Sequence, residues 1–211
     1  MAELPLRSHL ARSPVIAILR GVPEARLLPT VAALTGGGIE LLEIALGGPD
    51  DTRLIRQVRA AFPGVLVGAG TVVSADLAER AVQDGASFLL TPHVAEDAIR
   101  AAARLGVPII PGAFTPTEIQ RCLELGCEAV KLFPASLGGP AYVRALLAPY
   151  PRLPLVAVGG VNPANMHDYL RAGAVGVGIA SELTRLDSAQ PDYDALRERA
   201  RACTAALAPR G

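Results

Sequence analysis

Apolar residues along this chain collect in short continuous runs, and each run is followed by a longer stretch with apolar positions at helical spacing. The runs are "VIAIL" (15–19), "IELLEIAL" (39–46), "VLVGAG" (65–70), "SFLL" (87–90), "VPIIP" (107–111), "EAVKLF" (128–133), "LVAVGG" (155–160) and "AVGVGI" (174–179). Most of them are apolar at odd and even positions alike. That pattern predicts strands buried on both faces rather than strands with one wet side.

The intervening segments carry helix signals. "PEARLLPTVAALTGGG" has Pro23 and Glu24 early and ends in glycines, and "PDDTRLIRQVRAAFPG" places acids before arginines, in the sense the helix dipole favours. "SADLAERAVQDG" opens on Ser74 as N-cap and closes on Gly85. Similar units follow at "AEDAIRAAARLG", "TPTEIQRCLELG", "PAYVRALLAPY" and "NPANMHDYLRAG". A glycine stands just ahead of several strands, as in "GGGIE", "DGASF" and "RAGAV".

Eight strand-then-helix units predict a (β/α)8 TIM barrel, with a doubly wound open sheet as the alternative. No low-complexity linker interrupts the order, so residues 1–211 read as one domain with an N-terminal segment. A last helix would pack outside the barrel through Tyr193, Leu196, Ala200, Cys203 and Leu207.

Composition narrows the function classes. Of the 211 residues 51% are hydrophobic, enough for a large core, and the formal net charge is zero. With no basic block or acidic tail, nucleic acid and membrane surfaces are not expected partners. No apolar run has the length of a membrane span, and "MAELPLRSHLARSP" is too polar for a leader, so the expected location is the cytoplasm. Cys122, Cys127 and Cys203 show no CxxC spacing and read as reduced structural thiols. His9, His93 and His167 are not spaced as metal ligands with acids, and no nucleotide-binding glycine motif is present, so no metal or cofactor is expected.

In such a barrel chemistry belongs at the C-terminal ends of the strands. Arg20 follows the first run, Glu43 lies late in the second, Thr71 follows "GAG", "TPH" (91–93) follows the fourth and "PGAFT" (111–115) the fifth. Gly159 and Gly160 end the seventh and "GIAS" (178–181) the eighth.

Lys131 stands inside the sixth run. It is the only lysine among 20 basic residues. A strand lysine can extend its amine to the surface or pair with an acid. Yet this chain uses arginine for every other cation, and arginine has no free amine with which to form a Schiff base. A desolvated lysine has a lowered pKa and supplies a neutral nucleophile. Glu43 reads either as a salt-bridge partner of Arg20 or as a general acid/base facing that amine. Glu40, at the start of the same strand, belongs to the bottom of the barrel and reads as structural. The glycines after the last two strands, with Ser181, suit backbone binding of phosphate or simple turns.

"VIAILRG", "IELLEIAL", "VGAGTV", "IIPGAFTPTE", "AVKLFPAS" and "VAVGGVNPANMHDYLRAG" together resemble the KDPG/KHG class I aldolases, which act on 2-keto-3-deoxy-6-phospho sugar acids. The resemblance runs from about residue 14 to 183. It implies the same barrel, usually a homotrimer, and cleavage of a phosphorylated substrate to pyruvate and glyceraldehyde 3-phosphate without a cofactor. It implies Lys131 as Schiff-base lysine and Glu43 as general acid/base. Arg20 and Thr71 match substrate contacts, Pro92 and Phe133 the pocket wall, and Gly159, Gly160, Ala180 and Ser181 the phosphate loop. The family usually has glycine where Ala180 stands. Gly47 occupies the place of a substrate-binding arginine found in gluconate-type members, and Val158 that of their threonine. Both departures resemble the 6-phosphogalactonate branch. Cleavage of 4-hydroxy-2-oxoglutarate is the alternative within the family. A phosphate-binding isomerase or synthase, a pyridoxal-phosphate binder and a non-catalytic barrel binding a phosphorylated ligand are the alternatives outside it.

Overall fold

A computed structural model of the chain describes residues 6–186 and 190–205. Nine strands form one parallel sheet: β1 (Val15–Arg20), β2 (Leu41–Ala45), β3 (Leu66–Gly70), β4 (Phe88–Leu90), β5 (Ile109–Ile110), β6 (Gly112–Ala113), β7 (Val130–Leu132), β8 (Leu155–Val158) and β9 (Gly176–Ile179). Their lateral order is β5-β4-β3-β2-β1-β9-β8-β7-β6. The first and last members of that order are consecutive in sequence, separated only by Pro111. The sheet therefore curls into the expected barrel and closes through a single residue.

The fifth predicted strand, 107–111, thus forms only over Ile109–Ile110, and a second short strand, Gly112–Ala113, follows it where the rim was expected. Pro111 has no N–H to donate to a ladder, and the pairing changes partner there. Ile109 and Ile110 pair with β4, whereas Gly112 and Ala113 pair with β7. The Pro111 carbonyl still accepts a hydrogen bond from the Lys131 backbone N–H, at 2.8 Å.

Two apolar layers explain the continuous runs. Ile16, Ile18, Leu41, Phe88, Leu90, Ile110, Ala129, Val156 and Val158 form a buried cluster inside the barrel. Neighbours of opposite parity, such as Ala17, Leu42, Leu89, Val130, Ala157 and Val177, belong to the larger cluster that includes buried helix residues. Each fully buried Leu, Ile or Val side chain in these layers contributes about 1.5–3 kcal/mol of transfer free energy.

The inner layer is closed below by a helix absent from the sequence expectation, Leu6–Arg12, whose Leu6 and Leu10 are buried in the same cluster. Arg12 pairs with Glu40 at 3.2 Å, in keeping with a structural role for Glu40 at the barrel bottom.

The predicted helices form with local trims. Ser74 Oγ accepts from the Leu77 N–H at 3.2 Å and starts the helix Ala75–Gln83. Thr115 and Glu118 form a reciprocal capping box at the start of Pro116–Glu124. The segment "NPANMHDYLRAG" is helical only over Met166–Arg171, because the Asn162 and Asn165 side chains bond nearby backbone N–H groups and hold a turn first. The final helix, Tyr193–Ala205, buries Leu196, Ala200 and Cys203; Leu207 lies outside the described residues. Cys122, Cys127 and Cys203 are free and buried. Burial pushes the Cys122 thiol up to about 12 and that of Cys127 to about 11. No helix among the described residues is long and apolar enough to cross a membrane.

Candidate active site

Strand alternation decides which side chains enter the barrel. In β2 the inward set includes Leu41 and Glu43, and in β7 it includes Lys131, following Ala129 just ahead of the strand. In β3 it falls on Leu66, Gly68 and Gly70. The two glycines make room for neighbours. A Cβ at Gly68 would lie 2.4 Å from the Phe88 ring, and one at Gly70 only 1.8 Å from Glu43 Oε1.

At the C-terminal rim a cavity of about 350 Å³ is lined by Arg20, Thr71, Pro92, Lys131, Phe133, Val158, Gly159, Gly160, Ala180 and Ser181. Every residue expected at the site from the sequence is therefore gathered here except Glu43, which points into the barrel interior and is fully buried there. Ile18, Val161, Gly178 and Glu182 complete the lining. A comparable hollow of about 420 Å³ opens at the barrel bottom beside Leu6, His9 and Arg59. It holds no paired amine and acid, so chemistry rather than size singles out the upper cavity.

Lys131 is 4% exposed, and its Nζ lies 5.0 Å from the centre of the Phe133 ring. Burial lowers its pKa below the ordinary lysine value. The Glu43 charge opposes that shift and the Arg20 charge adds to it. Glu43 shows the mirror behaviour. Burial raises its pKa, and the Lys131 and Arg20 charges oppose the rise. Both groups are thus pushed toward their neutral forms, as an amine nucleophile and a proton-carrying acid require.

Neither Glu43 oxygen has a hydrogen-bond partner among the described residues. The salt bridge to Arg20 that the sequence left open is not formed. Arg20 is exposed at the rim and has no ion pair among the described residues, so its charge faces the cavity mouth. A buried carboxyl without a partner is costly, and such groups concentrate at functional sites.

Thr71 adds a feature that periodicity does not reveal. Its φ is 65°, the only positive value at a non-glycine residue among those described. A β-branched residue in this region is strained by about 1–3 kcal/mol, and such strain concentrates at functional sites. The local ladder holds it there: the Gly70 carbonyl accepts from the Leu46 N–H at 3.0 Å, and the Val72 N–H donates to Leu90 O at 3.0 Å.

On the opposite wall Gly159 and Gly160 have φ of 94° and 75°. Their carbonyls accept from the Ser136 N–H at 2.9 Å and from Asn165 Nδ2 at 3.0 Å, which pins the loop. Ala180 precedes the short helix Ser181–Thr184 with φ −96°, so its methyl group fits without left-handed backbone.

Gly47 does not reach this cavity. Its N–H donates to Asp51 Oδ2 at 2.8 Å beside an adjoining hollow that Arg20 also lines. Of the lining residues missed from the sequence, Ile18 was the most legible, since it shares strand parity with Arg20. Glu182 carried no signal, because its placement depends on how the last loop folds back. Among the described residues no three His, Cys, Asp or Glu side chains cluster as metal ligands.

Residues 6–198 match the family model described as KDPG and KHG aldolase. The chain is 37% identical over 174 residues to 2-dehydro-3-deoxy-6-phosphogalactonate aldolase of Escherichia coli (strain K12), covering 82% of this chain and 85% of that protein. It is 38% identical over 158 residues to 2-dehydro-3-deoxy-phosphogluconate aldolase of Pseudomonas aeruginosa PAO1, covering 74% of this chain and 70% of that one. Among solved structures, it superposes with a TM-score of 0.83 on KDPG aldolase from Legionella pneumophila, with pyruvate captured as a covalent carbinolamine intermediate. That match has 27% sequence identity and covers 96% of this chain and 98% of that one.

Proposed function

The chain belongs to the KDPG and KHG aldolase family, and from that premise we propose how its barrel performs the reaction. The protein is a class I aldolase that cleaves a 2-keto-3-deoxy-6-phospho sugar acid to pyruvate and glyceraldehyde 3-phosphate. Residues 1–211 act as one catalytic unit, a cytoplasmic homotrimer.

The observation that carries the mechanism is the chain's single lysine, nearly buried in the barrel and electrostatically coupled to a fully buried, unpartnered carboxyl. The neutral Lys131 amine attacks the substrate C2 carbonyl. Glu43 supplies the proton with which the carbinolamine hydroxyl leaves as water, and an iminium ion remains. The C3–C4 electron pair flows into that iminium as the C4 hydroxyl gives its proton to the Glu43 carboxylate left by the previous step, which releases the aldehyde and leaves an enamine. A proton returned to C3 and a water added at C2 then free pyruvate and the amine. The iminium is the electron sink, so the mechanism calls for no cofactor. Arg20 and Thr71 hold the carboxylate end, with Pro92 and Phe133 forming the wall around it. Gly159, Gly160, Ala180 and Ser181 receive the phosphate through backbone N–H groups and a hydroxyl.

Specificity falls to Val158. The galactonate and gluconate substrates differ in configuration at C4, and an apolar wall at that carbon offers no hydrogen bond to the gluconate epimer. Val158 and Gly47 support preference for the 6-phosphogalactonate-derived substrate.

Covalent trapping tests the reading. Pyruvate with borohydride is expected to leave one reduced adduct, on Lys131, and to abolish activity. An active enzyme left unmodified at Lys131 would refute the Schiff-base mechanism.

A further inference from the structure

Gly70 lies directly against the Glu43 carboxyl. A Cβ built on it would sit 1.8 Å from Oε1, 2.5 Å from Cδ and 2.7 Å from Cγ of Glu43. No contact this short is possible, so a methyl group and the present Glu43 rotamer exclude one another. The backbone has little freedom to retreat. Gly70 stands opposite Ala45 in the β2–β3 ladder, and its carbonyl accepts the Leu46 N–H at 3.0 Å. Nor does a hydrogen bond hold the carboxyl, since both of its oxygens lack a partner. The carboxyl is therefore located by shape, with the bare Cα of Gly70 as one wall.

We infer that Gly70 is a positioning residue for the aldol reaction, whose missing side chain sets where Glu43 delivers its proton. Gly70 carries no functional group and touches no reacting atom. It acts through Glu43, and a misplacement of about 1 Å at such a group can cost about 10²-fold in rate. Gly68, one inward position earlier on β3, provides a contrast, because the space above it is taken by the Phe88 ring and serves packing.

The inference rests on Glu43 as the proton carrier, and the experiment separates the two. Glu43→Gln, Gly70→Ala, Glu43→Asp and the Gly70→Ala/Glu43→Asp double variant are assayed by coupled detection of pyruvate, with circular dichroism as the check on folding. Gly70→Ala is expected to lower kcat by about 10²-fold with KM changed by less than about threefold. Asp is one methylene shorter and withdraws the carboxyl from position 70. In the Glu43→Asp background the added methyl should therefore cost less than about threefold, a strong departure from additivity between touching residues.

A Gly70→Ala kcat within about threefold of the parent, or equal losses in both backgrounds, overturns the inference. If Gly70→Ala does not fold, a folded double variant as active as Glu43→Asp upholds it, and an unfolded or tenfold less active one overturns it. Glu43→Gln at parental turnover refutes the role of Glu43 itself. Low Glu43→Gln turnover beside a parental Gly70→Ala refutes only the role of Gly70.

Discussion

Two ionisable groups inside the barrel should make the proposed catalytic site a stability liability, and removing both should show it. The perturbation is the double variant Lys131→Met/Glu43→Met, which keeps unbranched side chains of similar length. In the parent the Lys131 side chain is 4% exposed and that of Glu43 not at all, with no salt bridge between them within 4.0 Å among the described residues. Burial is the largest influence on each, and their mutual attraction opposes it only in part. Replacing buried ionisable groups by apolar side chains of similar volume removes that burial cost and, even for a charged pair, is often neutral or stabilising by about 1–4 kcal/mol. A gain of about 2 kcal/mol is expected here, and a domain of this size moves by about 2–4 °C per kcal/mol, so Tm should rise by about 4–8 °C.

The pH dependence has a definite sign. Glu43 has a raised folded pKa, so its favourable contribution exists below the unfolded value of about 4.3 and is lost as pH rises through the folded value. Lys131 has a lowered folded pKa, so its contribution exists above the unfolded value of about 10.4 and is lost as pH falls through the folded value. Between those limits both groups weaken the parent. The advantage of the double variant should therefore be broad near neutrality and shrink toward either extreme. Denaturant melts between pH 4 and 10 would measure it. A double variant less stable than the parent at pH 7, or an advantage that grows toward the extremes, would refute the reasoning.

Two further outcomes follow from the rim of the barrel. Val158→Thr keeps the size of a 5%-exposed side chain and adds a hydroxyl at the wall we propose for C4, so the ratio of kcat/KM values should shift toward the gluconate epimer by about ten- to thirtyfold, or about 1–2 kcal/mol; an unmoved ratio means Val158 does not read C4, and a parent already tenfold better on the gluconate epimer refutes the branch assignment. Leu137 and Val73 are exposed by 75% and 47%, and burying such side chains between copies fits the proposed homotrimer, for which sedimentation equilibrium should report three times the chain mass; a monomer at micromolar concentration would reject it.

The barrel was legible in the sequence because its cause is local. Strands buried on both faces must be apolar at both parities, helices between them repeat at 3.6 residues, and the punctuation of each unit is a cap or a glycine. Lys131 was legible as well, because a lone lysine in a chain of arginines stands out before any folding is considered. Several features depended on distant parts of the chain. The split of one strand at Pro111 comes from barrel closure, since only the closed sheet gives residues 109–113 two different neighbours.

The helix Leu6–Arg12 is stabilised by the open bottom of a barrel that its own residues do not describe. Whether Glu43 pairs with Arg20 or stands alone could not be read from spacing, because strand register and the room above Gly70 decide it. Likewise Thr71 is forced to positive φ by ladder bonds from two neighbouring strands, against its own preference. Periodicity is a property of each segment and survives in sequence order; the position and protonation of a side chain inside the barrel depend on what surrounds it, and those surroundings exist only once strands far apart in sequence have closed around it.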